Sequence, residues 1–95
     1  MPIQGKLYLW GDRAKYVPEE TGVYAFYDKN RVLIYIGGSE NLRETFTSYI
    51  QTDFSDDPRK RETTYYRRMS AENWKETVKC LLEEYKQDSV KLLHL

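Results

Sequence analysis

Apolar and aromatic residues fall into short clusters along this chain, and their spacing switches between the two periods of regular structure. Val23-Tyr-Ala-Phe-Tyr27 is a run of β-forming residues entered through the turn-like Pro18-Glu-Glu-Thr-Gly22. A polar, turn-prone loop, Asp28-Lys-Asn-Arg31, leads at once into a second such run, Val32-Leu-Ile-Tyr-Ile36. So short a connection predicts an antiparallel hairpin. Gly37-Gly38 is expected to end the second strand and Ser39 to cap a helix from Glu40 to about Gln51. Within that helix Leu42, Phe46, Tyr49 and Ile50 fall at helical spacing on one stripe.

Asp53 to Lys60 reads as a polar loop, and Thr63-Thr-Tyr-Tyr-Arg-Arg-Met69 as a third strand at a sheet edge. Ser70 is expected to cap a second helix, Ala71 to about Lys86, with Trp74, Val78, Leu81, Leu82 and Tyr85 facing inward. Lys6-Leu-Tyr-Leu-Trp10 fits a short strand or an apolar arm; the tail Ser89–Leu95 fits a strand, a docked arm or a partner-binding end. No repeat, low-complexity tract or linker divides the chain, so residues 1–95 are expected to form a single domain. The order predicts an α+β fold, a small three-stranded, mostly antiparallel sheet flanked by helices.

Composition narrows the function classes. With 40% hydrophobic residues and 15 basic against 15 acidic, the chain is neither disordered nor globally basic. No run approaches the ~18 apolar residues of a membrane helix, so no membrane partner is expected. One cysteine, Cys80, makes neither an internal disulfide nor a zinc site, and points to a cytoplasmic protein. The one histidine, His94, is penultimate, which gives little support to Ser-His or Cys-His catalysis.

The excess is in tyrosine: nine, against three phenylalanines and two tryptophans. Tyr24 and Tyr35 sit on the two hairpin strands and Tyr49 on the inner stripe of the following helix. Three phenols near one sheet face can position a water or a phosphate oxygen, or serve simply as core-edge residues with wet tips. Between Arg59 and Arg68 lie Arg59, Lys60, Arg61, Arg67 and Arg68 with one acidic residue, Glu62, and with Tyr65 and Tyr66 interleaved. Arginines beside aromatics can bind phosphates and stack bases; the same charges can also keep a strand edge solvated.

Gly22-Val23-Tyr24, then Tyr35-Ile36-Gly37, then Ser39-Glu-Asn-Leu-Arg43 at a helix start resemble the GIY-YIG nuclease superfamily over about residues 16–85. The resemblance implies that Tyr24 and Tyr35 match the family's two site tyrosines and that Tyr49 matches its later Tyr or His. It implies a nucleic-acid partner, DNA or RNA, with Arg43 and the Arg59–Arg68 cluster as contacts, and magnesium if the nuclease chemistry is retained. The departures are as informative. Thr45 stands where the family has a phosphate-steadying arginine, Gly38 where some members have a lysine, and Thr77 or Val78 where the later helix has its metal-binding glutamate. Glu76 and Glu83 are expected to face solvent, and Glu84 to lie at the stripe's edge. The expectation is therefore a GIY-YIG-like domain with a degenerate site and no cofactor, serving as a nucleic-acid-binding or interaction module. The alternatives are an active metal-dependent endonuclease with Glu76 or Glu84 on the metal, and an accessory subunit. The latter would bind a protein partner or a second copy through Leu92, Leu93 and Leu95 in the C-terminal tail.

Overall fold

The computed structural model describes residues 6–55 and 58–88, with side chains as far as Glu84. The tail Ser89–Leu95, His94 within it, and Asp56-Asp57 lie outside the described residues, as does the side chain of Tyr85. Elements run in the order β1 (Tyr8–Leu9), a 3-10 turn (Asp12–Tyr16), β2 (Gly22–Tyr27), β3 (Leu33–Ser39), α1 (Leu42–Thr52), a second 3-10 turn (Pro58–Glu62), β4 (Tyr65–Ser70) and α2 (Trp74–Asp88). The strands form one antiparallel sheet in the order β1-β4-β2-β3. The fold is α+β as expected, with one strand more: the Lys6–Trp10 segment contributes β1.

The hairpin forms because Asp28 organises its loop. The Asp28 carboxylate accepts from the backbone N–H groups of Asn30 at 2.8 Å and Val32 at 3.0 Å, and Arg31 adopts a positive φ of 63°. β3 does not stop at Gly37-Gly38 but runs to Ser39, because those glycines pair with Tyr24 and Val23 and Ser39 with Gly22. Asn41, not Ser39, caps α1, its side chain accepting from Glu44 N–H. Ser39 uses its hydroxyl one step earlier, accepting from Asn41 N–H. Likewise Ser70 is the last residue of β4, paired with Gly22, and α2 begins only at Trp74.

β2 is central, and all six of its residues are buried. One sheet face carries Tyr24 and Phe26 against Leu42 and Phe46 of α1, with Ala14, Val17, Phe54 and Tyr66 completing the cluster. Trp10 closes it, its ring centroid 5.1–5.6 Å from those of Phe26, Phe46, Phe54 and Tyr66. The opposite face carries Val23, Ala25, Tyr27 and Ile36 under Trp74, Val78 and Leu81 of α2. Leu82, expected on that inward stripe, is 42% exposed. The period of two along β2 thus feeds two cores, one under each helix.

β4 lies between β1 and β2, an interior position rather than the expected edge. Two hydrogen bonds tie the start of β2 to distant chain: Leu42 N–H donates to Glu20 C=O at 2.9 Å, and Ala71 N–H to Thr21 C=O at 3.0 Å. Thr21 Oγ1 donates in turn to Glu40 C=O at 2.9 Å. Among the described residues no helix is long and apolar enough to cross a membrane.

Candidate functional site

The three tyrosines singled out by the sequence converge. Tyr24 and Tyr35 share a sheet face because Tyr24 pairs with Gly37 and Phe26 with Tyr35. A bulge between Phe26 and Tyr27 takes up an extra residue on β3 and shifts the pairing by one, so that Tyr27 pairs with Leu33. Tyr49 arrives from α1, and its hydroxyl lies 3.0 Å from that of Tyr24. Gly37 makes room for them: a β-carbon there would stand 2.7 Å from the Tyr24 hydroxyl and 2.7 Å from the Tyr35 ring.

The phenols differ in environment. Tyr24 is 2% exposed. Burial, then the hydrogen bond to Tyr49 and the neighbouring phenols of Tyr49 and Tyr35, push its hydroxyl well above the ordinary tyrosine range. A phenol held so firmly protonated is a hydrogen-bonding group rather than a base. Tyr35 and Tyr49 are half-buried and form the outer rim.

The fourth member is Lys60. From the second 3-10 turn it reaches under the rim, with Nζ 3.9 Å from the Tyr35 ring centroid, 5.1 Å from that of Tyr49, and donating to Tyr49 Oη at 3.4 Å. The residue is only 8% exposed. The sequence places Lys60 in a basic cluster that either binds phosphates or keeps a strand edge solvated. Its flanking residues Arg59 and Arg61 are indeed exposed. The signal that separates them is the short period of a 3-10 turn, which turns each residue about 120° from the last. Nothing in the composition of the loop announced that turn.

The other basic candidates are spread over the fold. Arg43 projects toward the first 3-10 turn, its Nε donating to Val17 C=O at 2.8 Å and its guanidinium 3.8 Å from the Glu19 carboxylate. Arg67 and Arg68 occupy opposite sheet faces, Arg67 opposite Ala25 and Arg68 opposite Tyr24. Arg67 lies over the Tyr27 ring, while Arg68 lies over Tyr8 and pairs with Glu20 at 3.6 Å. Tyr65 lies beneath Arg31 on the α2 side. Tyr66 is buried, stacked on Tyr8, and burial raises its hydroxyl's pKa against the lowering effect of Arg68. The run of basic and aromatic residues in the sequence is therefore not one surface.

The hairpin carrying Gly22-Val23-Tyr24 and Tyr35-Ile36-Gly37, with the helix bearing Tyr49 behind it, brings the tripeptide motifs into one site. The family model of the UvrC-like GIY-YIG domain matches residues 20–86. The chain belongs to this family. Among relatives of this UvrC-like domain, UvrABC system protein C of Rickettsia bellii is 46% identical over 37 residues, 39% of this chain and 6% of that protein. That of Corynebacterium glutamicum strain R is 41% identical over 49 residues, 52% of this chain and 7% of that protein. That of Dictyoglomus thermophilum is 50% identical over 36 residues, 38% of this chain and 6% of that protein. The chain thus corresponds to a small part of these relatives. No solved structure gives a significant match.

GIY-YIG nucleases typically use a metal ion, and the residues here do not fit one at the expected places. Val78 lies on the α2 side of the sheet, against Gly38 and in the cluster that contains Trp74. Thr77 Oγ1 donates to Asn73 C=O at 3.1 Å, back along its own helix. Glu76, Glu83 and Glu84 are all exposed, on a helix packed against the face opposite the phenols. Thr45, expected from the resemblance at the family's arginine position, donates to Ser39 Oγ at 2.6 Å. Among the described residues no group of three or more His, Cys, Asp or Glu is placed to hold a metal ion.

Proposed function

We propose that this UvrC-like GIY-YIG domain no longer hydrolyses phosphodiesters and serves as a small nucleic-acid-binding module in the cytosol. The observation that carries the reading is Val78, an apolar side chain packed toward Gly38 where the family resemblance calls for a metal-binding carboxylate. Hydrolysis of a phosphodiester depends on charge neutralisation at the phosphate and on activation of the water. Thr45 cannot supply the first, and a deeply buried, protonated Tyr24 is ill suited to the second. Tyr24, Tyr35 and Tyr49 still converge, and the cation Lys60 stands beside them, with Arg59 and Arg61 exposed elsewhere on its turn, which supports retained binding.

The test is incubation with single- and double-stranded DNA and RNA in magnesium and in manganese, with binding followed in parallel. No cleavage is expected, together with salt-sensitive binding. Cleavage that disappears in Tyr35→Phe would overturn the loss of chemistry, and absence of binding in low salt would overturn the module.

A further inference from the structure

A lysine buried this completely ordinarily has a carboxylate beside it, since an unpaired charge is costly to remove from water. Among the described residues Lys60 has no such partner, whereas Arg43 pairs with Glu19 and Arg68 with Glu20. The Lys60 ammonium rests on the Tyr35 and Tyr49 ring faces, and its one hydrogen bond among the described residues is to Tyr49 Oη. An ammonium has three N–H groups, so donor capacity is left over.

The hydroxyls continue the argument. Lys60 can only donate, so Tyr49 Oη accepts from it. Tyr24, buried and protonated, has Tyr49 Oη at 3.0 Å as its hydrogen-bond partner. When Tyr24 donates, both acceptor positions of Tyr49 are filled and its own proton is directed to the half-exposed rim. The corner then presents donors and positive charge. Its complement is an oxyanion without protons to give. Arg59 and Arg61, exposed on the same turn as Lys60, favour an anion within a polyanionic chain over an isolated one.

We propose that the corner formed by Tyr35, Tyr49 and Lys60 binds one backbone phosphate of a nucleic acid without metal. Lys60 supplies the positive charge that the resemblance assigns to an arginine at position 45 and to a metal ion. The proposal rests on the binding role above and names the residue through which it works.

The experiment is fluorescence anisotropy of a short labelled single-stranded DNA oligonucleotide with the full chain in EDTA, over a range of salt. Lys60→Met keeps the buried stem and removes the charge. Its affinity is expected to fall about tenfold, and the slope of log affinity against log salt to lessen by about 0.7, one phosphate's share on a single strand. Tyr49→Phe, which removes one hydroxyl from the rim, is expected to lose several-fold and carries the test should Lys60→Met fail to fold. Unchanged binding in Tyr49→Phe and in folded Lys60→Met, with loss in Arg59→Ala/Arg61→Ala, would overturn this proposal and leave the binding module standing. Binding that requires added magnesium would also overturn it. No binding by the parent chain would remove the module and the proposal together.

Discussion

Gly38 and Val78 meet between β3 and α2 with no space for a side chain on the strand. A β-carbon on Gly38 would come within 3.0 Å of Val78 Cγ2 and closer still to Trp74 Cε3. Position 38, where the resemblance expects a lysine in some members, and position 78, one of the two where it expects the glutamate, thus share one packing arrangement. Gly38→Ala is expected to destabilise the chain by about 1–3 kcal/mol, the usual cost of overfilling a packed interface. Gly38→Lys should cost more. Urea denaturation of the three proteins would measure this, and equal midpoints would show that α2 gives way easily.

Tyr24 and Tyr66 make stability pH-dependent on the alkaline side. Both hydroxyls are pushed up from an ordinary value of 10.0. Below that pH the folded and unfolded chains both hold these protons, and the contribution is fully present. Above it the unfolded chain releases them while the folded chain does not, so stability falls as pH rises toward the folded values. The slope approaches about 1.4 kcal/mol per pH unit for each such group. Urea midpoints taken at about pH 9 and about pH 11 should differ less in Tyr24→Phe than in the parent chain.

Arg43 is expected to matter for folding. Its hydrogen bond to Val17 C=O fastens the first 3-10 turn to α1. Arg43→Ala should lower stability by about 1 kcal/mol, in the range for a partly exposed charged donor. Arg59→Ala should leave stability within about 0.5 kcal/mol, as at most surface positions. Denaturation of both variants, with oligonucleotide binding measured alongside, separates the two roles.

Magnesium should leave the melting temperature unchanged. A ligand that binds the folded state raises stability in proportion to the logarithm of one plus its concentration divided by its Kd. Glu76, Glu83 and Glu84 of α2 stand exposed, on a helix packed against the face opposite the phenols, so millimolar magnesium against EDTA is expected to shift Tm by less than about 1 °C. A rise of several degrees would reveal a metal site.

Much of the fold can be read from the residues themselves. The hairpin shows in two β-rich runs around Asp28-Lys-Asn-Arg31, and α1 in the spacing of Leu42, Phe46 and Tyr49. The strand order is not local information, and neither is the place of β4, because Tyr65–Ser70 could have lain at an edge until Tyr8 and Leu9 paired with it. The convergence of Tyr24, Tyr35 and Tyr49 follows from strand period and helix stripe together. The sequence names Lys60 among the basic contacts but does not show its burial, which depends on a turn whose residues, Pro58-Arg-Lys-Arg-Glu62, have the composition of a solvated loop. The linear run of basic residues likewise does not show that alternation along β4 sends Arg67 and Arg68 to different faces.

The two consecutive carbonyls at Glu20 and Thr21 receive N–H groups from Leu42 and Ala71, residues far away along the chain. Neither bond can form until the intervening segments have closed into loops, so this junction belongs to the late part of folding. In the native state it should then behave as a clasp: the Leu42 and Ala71 amides would exchange with solvent deuterium together, in one opening event, and a protease cut beside Pro18 would quicken both.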